Sequence, residues 1–193
     1  MNRVCVYAGS NVGARVAYVD AAVALARAIV ARGWGVVYGG GNVGLMGVLA
    51  DAALDAGGEV IGVIPEALLA RELGHGDVTE LRVVKTMHER KALMAELSDA
   101  FVALPGGFGT VEELVEAATW TQLGLHSKPV GLLDVDGFWD ALMSFFDTGV
   151  VEGFVRAQQR EIVFADPDIE SLLDRLGAWV PPTTHKWIDL DTV

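Results

Sequence analysis

The chain has few of the features of secreted, membrane-spanning or nucleic-acid-binding proteins. Its single cysteine, Cys5, excludes an intrachain disulfide and is predicted to be a buried thiol in the first apolar strand. No apolar run is long enough to span a bilayer, and no signal peptide is apparent. Only 14 lysines and arginines stand against 26 acidic residues, for a net charge of −12. Since nucleic-acid binding needs clustered cations, we expect no nucleic-acid partner. Since neither a signal peptide nor a membrane-spanning run is apparent, we expect a cytoplasmic protein with no membrane partner.

Metal-binding residues are also scarce. The four histidines are scattered along the chain, and the one cysteine belongs to a strand, so neither a metal nor a redox cofactor is predicted. Apolar residues make up 52% of the 193 residues, which is enough to bury a sizeable core and excludes a disordered chain. We predict one domain over residues 1–180 and a C-terminal tail over residues 181–193.

Short apolar segments alternate with helical segments along the whole chain. This alternation predicts an α/β fold, a doubly wound, mostly parallel sheet of the Rossmann-like kind with helices on both faces. Asp166 and Pro167 are predicted to open the last helix, and residues 66–80 to form a long connection. Strands are predicted at residues 4–8, 36–38, 60–64, 81–84, 100–104, 130–133 and 162–164, and helices at 16–32, 45–56, 86–98, from about 111 onwards, at 138–147 and after 166.

The most informative segment is PGGFGTVEE, residues 105–113, which follows a buried strand and leads into a helix. Its glycines allow close approach of a ligand and positive φ angles. The free N–H groups of a helix start attract an anion such as phosphate. Glu113 would then bring a carboxylate close to the bound group. The same pattern also fits a capping box, in which Glu113 merely bonds the backbone of Thr110.

A second glycine cluster, GGGNVG at residues 39–44, satisfies the dinucleotide-binding pattern G-x-G-x-x-G. It follows the second strand rather than the first. The carboxylate expected at the end of the next strand is missing, because only Pro65 and Glu66 lie near that place. This cluster therefore does not indicate a dinucleotide site.

The segment MHERK, residues 87–91, begins the third predicted helix. Thr86 and Glu89 fit a capping box at its start. Cations are disfavoured at a positive helix end, so Arg90 and Lys91 are either solvated or paired with an anion. In the second case Arg90 offers a planar fork to a phosphate or carboxylate. His88 fits a surface or capping role better than a catalytic one.

Taken together, these motifs closely resemble those of the Lonely Guy (LOG) family, the cytokinin riboside 5′-monophosphate phosphoribohydrolases, which have often been labelled lysine decarboxylases. The resemblance runs from the first strand to about residue 164. It includes PGGxGTxxE and MHxRK, GGGxxGLMG at residues 39–47, Pro65 and WxQLGxH at residues 120–126. No residue pattern marks a pyridoxal-phosphate lysine. Lys85 departs from the family, many members of which have an acid there, and this departure bears on substrate preference.

The resemblance implies hydrolysis of the N-glycosidic bond of an N6-modified AMP, giving the free base and ribose 5-phosphate without a cofactor. By matching position, it implies Arg90 and Glu113 as the catalytic pair and Glu72 as a substrate-binding acid. It also implies a homodimer with sites near the dimer interface. The other implied nucleotide contacts are Lys91, Gly106, Gly107, Phe108, Gly109, Thr110, Val111, Glu112 and Thr119.

Two alternatives of other classes remain open from the residues. A nucleotide-binding or carrier protein could use the same glycine-rich turn without turnover and would bind AMP intact. A dinucleotide-dependent oxidoreductase would bind NAD(P) tightly. The sequence does not identify the preferred base.

Overall fold

The computed structural model describes residues 1–72 and 74–181, without the side chains of residues 70–72. The strands of this part are β1 (Arg3–Tyr7), β2 (Gly35–Tyr38), β3 (Val60–Pro65), β4 (Glu80–Val84), β5 (Ala100–Ala103), β6 (Val130–Leu133) and β7 (Val163–Asp166). The helices are α1 (Val16–Ala31), α2 (Gly44–Asp55), α3 (Glu66–Glu72), α4 (Met87–Glu96), α5 (Phe108–Leu123), α6 (Asp140–Val151), α7 (Ala157–Arg160) and α8 (Ile169–Ala178).

The seven strands form one parallel sheet in the order β4-β3-β2-β1-β5-β6-β7. The chain winds outward from β1 in one direction through β2 to β4, and then in the other direction through β5 to β7. The predicted α/β, doubly wound parallel fold is thereby confirmed. Among the described residues, no helix has both the length and the apolar character that crossing a bilayer requires.

Both faces of the sheet are buried, and β1 shows how alternation divides the core. Val4 and Val6 pack into the cluster beneath α1, α2 and α8. Cys5 and Tyr7 point to the opposite cluster, beneath α4, α5 and α6. Because successive side chains of a strand point to opposite faces, a strand covered on both sides must be apolar throughout. Burial raises the pKa of the Cys5 thiol well above its usual range, as expected for an inert structural cysteine.

The start of α4 follows the predicted capping box. The Thr86 hydroxyl accepts a hydrogen bond from Glu89 N at 3.1 Å. The Glu89 carboxylate reaches back to the N–H of Lys85 at 2.8 Å, one residue before the cap. The reciprocal bonds fix where the helix begins, and with it the placement of Arg90.

The predicted start of the last helix is wrong by two residues. Asp168, not Asp166, is the N-cap of α8, and its carboxylate accepts from Ser171 N at 2.8 Å. Asp166 instead ends β7 and accepts from the N–H of Asp168 at 3.0 Å and from the Ser171 hydroxyl at 2.7 Å. Two aspartates flank Pro167, and both residue types suit an N-cap. Because β7 extends to Asp166, the helix begins later and Asp168 becomes its N-cap.

The predicted connection over residues 66–80 is also corrected, because its first part is the helix α3. Beyond this helix, Gly74 forms an isolated bridge with Gly41, and His75 N donates to Gly40 O at 3.1 Å. The imidazole of His75 lies 2.9 Å from the Asp51 carboxylate. These contacts hold the segment against the glycine loop that follows β2. Residues 182–193, most of the predicted tail, lie outside the described residues.

Candidate active site

The candidate site lies where the winding of the sheet reverses, at the carboxyl ends of β1 and β5. Open α/β sheets bind ligands at such a point because the loops leaving the two strands diverge there. The loop after β1 is tied to the loop after β5 by a hydrogen bond from Gly9 N to Pro105 O at 3.2 Å. The glycine-rich segment singled out in the sequence is therefore one wall of this crevice.

The anion cradle is the first turn of α5 with the loop before it. Gly107 is the N-cap, and the first intrahelical bond runs from Val111 N to Gly107 O at 3.1 Å. The N–H groups of Phe108, Gly109 and Thr110 precede that bond and have no partner within the helix. Together with the helix dipole, such free N–H groups favour an anion such as phosphate.

The glycines of the cradle serve space rather than conformation. Gly106, Gly107 and Gly109 are not among the residues with positive φ, so of the two sequence-based reasons for them the one from positive φ is wrong. A Cβ on Gly107 or Gly109 would meet no atom within 4 Å and would project into the crevice. A Cβ on Gly106 would lie 2.1 Å from the hydroxyl of Thr110. Gly106 thus admits the buried Thr110, and the other two keep the crevice open.

The capping-box interpretation of Thr110 and Glu113 is wrong. Because α5 begins at Phe108, Thr110 is the third residue of the helix rather than its N-cap. Glu113 lies a further turn in, and its side chain is 12% exposed. It faces Arg90, not the backbone of Thr110.

Arg90 is held by the ends of two strands. Its Nε donates to Val63 O in β3 and its Nη2 to Gly39 O just after β2, each at 3.1 Å. Its Nη1 points to the Met87 sulfur at 3.4 Å and to the Glu113 carboxylate at 3.5 Å. Of the two sequence-based possibilities for Arg90, a solvated side chain and an anion partner, the structure shows the second.

Burial governs the protonation of Glu113. Loss of solvation raises the pKa of this carboxyl to about 7, although the Arg90 guanidinium opposes the rise. A carboxyl with such a pKa changes charge near neutral pH, which is typical of groups that react. The structure thus provides a buried carboxylate, a fixed cation and an anion cradle within one crevice.

Lys91 does not join this group. Its ammonium pairs with the carboxylate of Glu112 and, at 2.9 Å, with that of Glu116, both on α5. Desolvation lowers the pKa of Lys91, but the two carboxylates raise it overall. A lysine that forms a Schiff base needs a lowered pKa, so Lys91 does not suit the chemistry of a decarboxylase. Its predicted contact with a nucleotide stays a prediction.

Thr119 lies far from the cradle of its own chain. It follows Thr110 by nine residues, and a helix rises about 1.5 Å per residue, so the two are separated by roughly 13 Å along α5. Its hydroxyl donates to Val115 O at 2.7 Å. The predicted contact from Glu72 cannot be placed, because that side chain lies outside the described residues.

A cavity of about 280 Å³ adjoins the pair. Five of its lining residues were not predicted as site residues: Ala8, Ser10, Met46, Leu68 and Met87. Ser10 could have been suspected, since it follows β1 at the same edge of the sheet. Met46 and Met87 lie in the family motifs at residues 39–47 and 87–91, whereas Leu68 had no such signal and belongs to the unpredicted helix α3. The cavity is lined by Ala8, Ser10, Met46, Leu68, Met87, Arg90, Gly107, Phe108, Gly109, Thr110 and Glu113.

Fold and site together define a protein of the Rossmann-like class that has a buried acid–arginine pair beside the glycine-rich start of a helix. Comparison with known proteins makes the class narrower. Residues 46–176 match the family described as "possible lysine decarboxylase". The chain is 52% identical over 179 residues to the cytokinin riboside 5′-monophosphate phosphoribohydrolase LOG of Oryza sativa subsp. japonica, covering 93% of this chain and 74% of the relative.

Two further relatives carry similar names. A probable cytokinin riboside 5′-monophosphate phosphoribohydrolase of the same rice is 53% identical over 174 residues, covering 90% of this chain and 78% of the relative. One from Arabidopsis thaliana is 51% identical over 179 residues, covering 93% and 83%. The chain belongs to the Lonely Guy family, which confirms the resemblance found in its motifs.

Solved structures support the fold alone. The molybdenum cofactor carrier protein of Chlamydomonas reinhardtii superposes with a TM-score of 0.69 at 22% identity, covering 92% of this chain and 99% of that one. The molybdenum cofactor binding protein of Rippkaea orientalis gives 0.69 at 23% identity, covering 92% and 96%. At such identities the likeness extends to architecture, not to ligand.

Replacing Gly107 by Val should block the crevice without harming the fold. The new side chain would fill open space, so AMP affinity should fall at least tenfold, about 1.4 kcal/mol, at a nearly unchanged melting temperature. Gly106→Val is the matched contrast, because its side chain would collide with Thr110 and lower the melting temperature. For both variants, calorimetric titration measures AMP affinity and thermal unfolding measures the melting temperature. A G107V protein that binds AMP normally would show that the space beside Gly107 is not part of the binding site.

The charge of Glu113 should control turnover and its pH dependence. Since only the ionised carboxylate can stabilise a developing cation, kcat/KM should fall as pH falls through about 7, where Glu113 takes up its proton. Glu113→Gln keeps the shape but removes the charge, so it should lower the rate about a hundredfold or more, on the order of 3 kcal/mol, and abolish this acid limb. The matched control is Glu161→Gln, at an exposed position outside the crevice. Wild-type turnover in E113Q would show that the charge is not used.

Proposed function

We propose that this protein hydrolyses the N-glycosidic bond of N6-modified AMP, a cytokinin riboside 5′-monophosphate, and also that of AMP itself. The products are the free base and ribose 5-phosphate. The observation that carries the proposal is the buried Arg90–Glu113 pair, 3.5 Å apart, beside the phosphate cradle of α5. The names of relatives at about half identity support the same reaction.

The residues suit the bonds that change. The 5′-phosphate would lie on the first-turn N–H groups of α5, with the ribose towards Glu113. As the bond from C1′ to the base nitrogen breaks, its electron pair leaves with the base, which takes up a proton. The sugar then has oxocarbenium character, which the Glu113 carboxylate stabilises. The oxygen of a water molecule bonds to C1′ and releases its proton.

Arg90 has a supporting electrostatic role in this scheme. Its guanidinium favours the ionised form of Glu113. Two of its nitrogens are already bound to strand carbonyls, so Nη1 is the part that faces Glu113. Such fixed polar groups need little reorganisation as charge develops, which is the source of their catalytic effect.

The cavity wall supports an apolar substituent on the base. Met46, Leu68 and Met87 belong to α2, α3 and α4. All three line the crevice and contribute apolar surface to it. An N6-alkyl group of a few carbons would gain about 0.8 kcal/mol per buried methylene. We therefore propose that modified AMP is preferred over AMP.

We further propose a homodimer formed through the outer face of α5. Thr119 lies too far along α5 to reach the cradle of its own chain, but it could reach that of a second copy. The same face and its neighbours expose large apolar side chains, as expected of an interface. These are Phe108, Val115, Leu123, Leu125, Phe145 and Phe154.

The proposal places the protein in the cytoplasm. Nucleoside monophosphates are available there, and a lone thiol such as Cys5 stays reduced. Fractionation of cells that produce the protein, with detection in the soluble and membrane fractions, tests this assignment.

One assay separates the proposed function from its alternatives. The protein is incubated with AMP, N6-isopentenyl-AMP and their nucleosides, and the free base and ribose 5-phosphate are measured. If the cradle binds the 5′-phosphate, the monophosphates should be cleaved and the nucleosides should be at least a hundredfold slower. Recovery of intact AMP from a tight complex would favour a carrier, and tight binding of NAD(P) an oxidoreductase. Equal cleavage of adenosine and AMP would remove the role of the cradle.

Leu125→Asp should weaken the dimer and the activity together. Leu125 is 70% exposed just after α5, so a carboxylate there should cost the monomer little stability but should oppose apolar association. Val16→Asp is the matched control, because Val16 is 74% exposed at the start of α1, on the opposite face of the sheet. Light scattering at micromolar concentration should give a dimer for the wild type and V16D and a monomer for L125D. A monomeric wild type with full turnover would contradict the proposed interface.

A further inference from the structure

The glycine cluster after β2 has no role in the proposed reaction so far. It matches a dinucleotide-binding pattern. It follows β2, however, and in the sheet β1 separates β2 from β5, the strand before the crevice wall formed by α5. Within the described residues, its first member contacts the catalytic pair directly. Gly39 O accepts the hydrogen bond from Arg90 Nη2 at 3.1 Å.

Space is as restrictive as the hydrogen bond. A Cβ built on Gly39 would lie 1.9 Å from Arg90 Nη2 and 3.1 Å from Arg90 Cζ, with the Met46 sulfur at 3.3 Å. Side-chain carbons never approach a nitrogen to 1.9 Å, so one of the two groups would have to move. The backbone of Gly39 is not in the positive-φ region, so an alanine is excluded there by contact and not by conformation.

The guanidinium cannot move aside without losing its function. Arg90 is buried, and three different groups hold its three nitrogens: Val63 O, Gly39 O and the Met87 sulfur. Displacement of Nη2 would turn the rigid planar fork and carry Nη1 away from Glu113, now at 3.5 Å. A small shift at a preorganised pair is costly to catalysis even where the fold tolerates it.

We propose that Gly39 is a positioning residue for Arg90: its carbonyl holds Nη2, and its missing side chain leaves the space that the guanidinium occupies. In this protein the glycine cluster thus serves an arginine rather than a dinucleotide. The inference rests on the proposed function, which gives Arg90 its catalytic importance. It extends that function to a residue that is not among those lining the cavity.

Another glycine of the cluster has a different task, which provides a contrast. A Cβ on Gly44 would lie 2.2 Å from the carbonyl carbon of Ser10, and Gly44 has a φ of +62°. Its neighbour is backbone, so Gly44→Ala should lower the melting temperature. A Cβ at position 39 would collide with the side chain of Arg90. The effect of Gly39→Ala should therefore disappear when Arg90 is replaced by a residue without Nη2.

The test is a double-mutant cycle of G39A and R90K. Lysine has no Nη2, so the collision is absent in R90K. G39A alone should lower kcat about thirtyfold or more. In the R90K background the same change should cost less than about threefold, because the two positions act as one unit. Gly76→Ala is the matched control, since a Cβ there meets nothing within 4 Å.

Thermal unfolding is measured for the same four proteins of the cycle. It tests the inference even if G39A is less stable than the wild type. Any loss of melting temperature caused by G39A should shrink in the R90K background. Full activity in G39A, or an equal loss of activity and stability in both backgrounds, would overturn the inference.

A measurement without substrate separates this inference from the proposed function. The Nε–H of Arg90, bound to Val63 O, should give a slowly exchanging arginine signal in ¹⁵N–¹H NMR, identified by its absence in R90K. The signal should persist in G76A and be shifted or lost in G39A. An unchanged signal in G39A refutes the positioning role even if the wild type cleaves nucleotides. A wild type without hydrolysis refutes the proposed function and leaves the signal test valid.

Discussion

The hydrogen bonds between the Arg90 guanidinium and the ends of β2 and β3 are the contact on which the site depends. A buried arginine is costly unless its donors are satisfied. Here Val63 O and Gly39 O satisfy two of them at 3.1 Å. Those carbonyls lie at the carboxyl edge of the sheet, so the parallel sheet itself orients the cation. The remaining nitrogen, Nη1, faces Glu113. The placement of the guanidinium therefore also sets the electrostatic environment of that carboxyl.

This arrangement reconciles the acidic chain with the anionic nucleotide proposed as its substrate. The net charge of −12 belongs to the whole chain, whereas the crevice contains the start of α5, the fixed Arg90 and Glu113. Lys91 is compensated by Glu112 and Glu116. The charges nearest to a phosphate at the start of α5 are therefore the helix N–H groups and the Arg90–Glu113 pair, and the net charge has little influence there.

Much of the fold followed from periodicity, and the failures have local physical causes. The alternating strands and helices predicted the parallel sheet, and reciprocal capping at Thr86 and Glu89 was recovered. The start of α8 was misplaced because Asp166 and Asp168 both suit a cap. α3 was missed because its apolar residues follow Pro65 in a short segment with no turn signal before it. The glycines before and at the start of α5 were expected to allow both close approach and positive φ, but none has positive φ, and they provide space instead.

The sequence by itself determined the class of fold, the glycine-rich turn that leads into a helix, and the motifs that mark the Lonely Guy family. These depend on local spacing and on residue type, which a single chain displays. Tertiary structure alone decided that Arg90 faces Glu113, that Lys91 turns to other carboxylates, and that Gly39 leaves space for a guanidinium 51 residues away. Such contacts join distant segments through the winding of the sheet. Burial then sets the charge of Glu113, since desolvation depends on the neighbours that folding brings together.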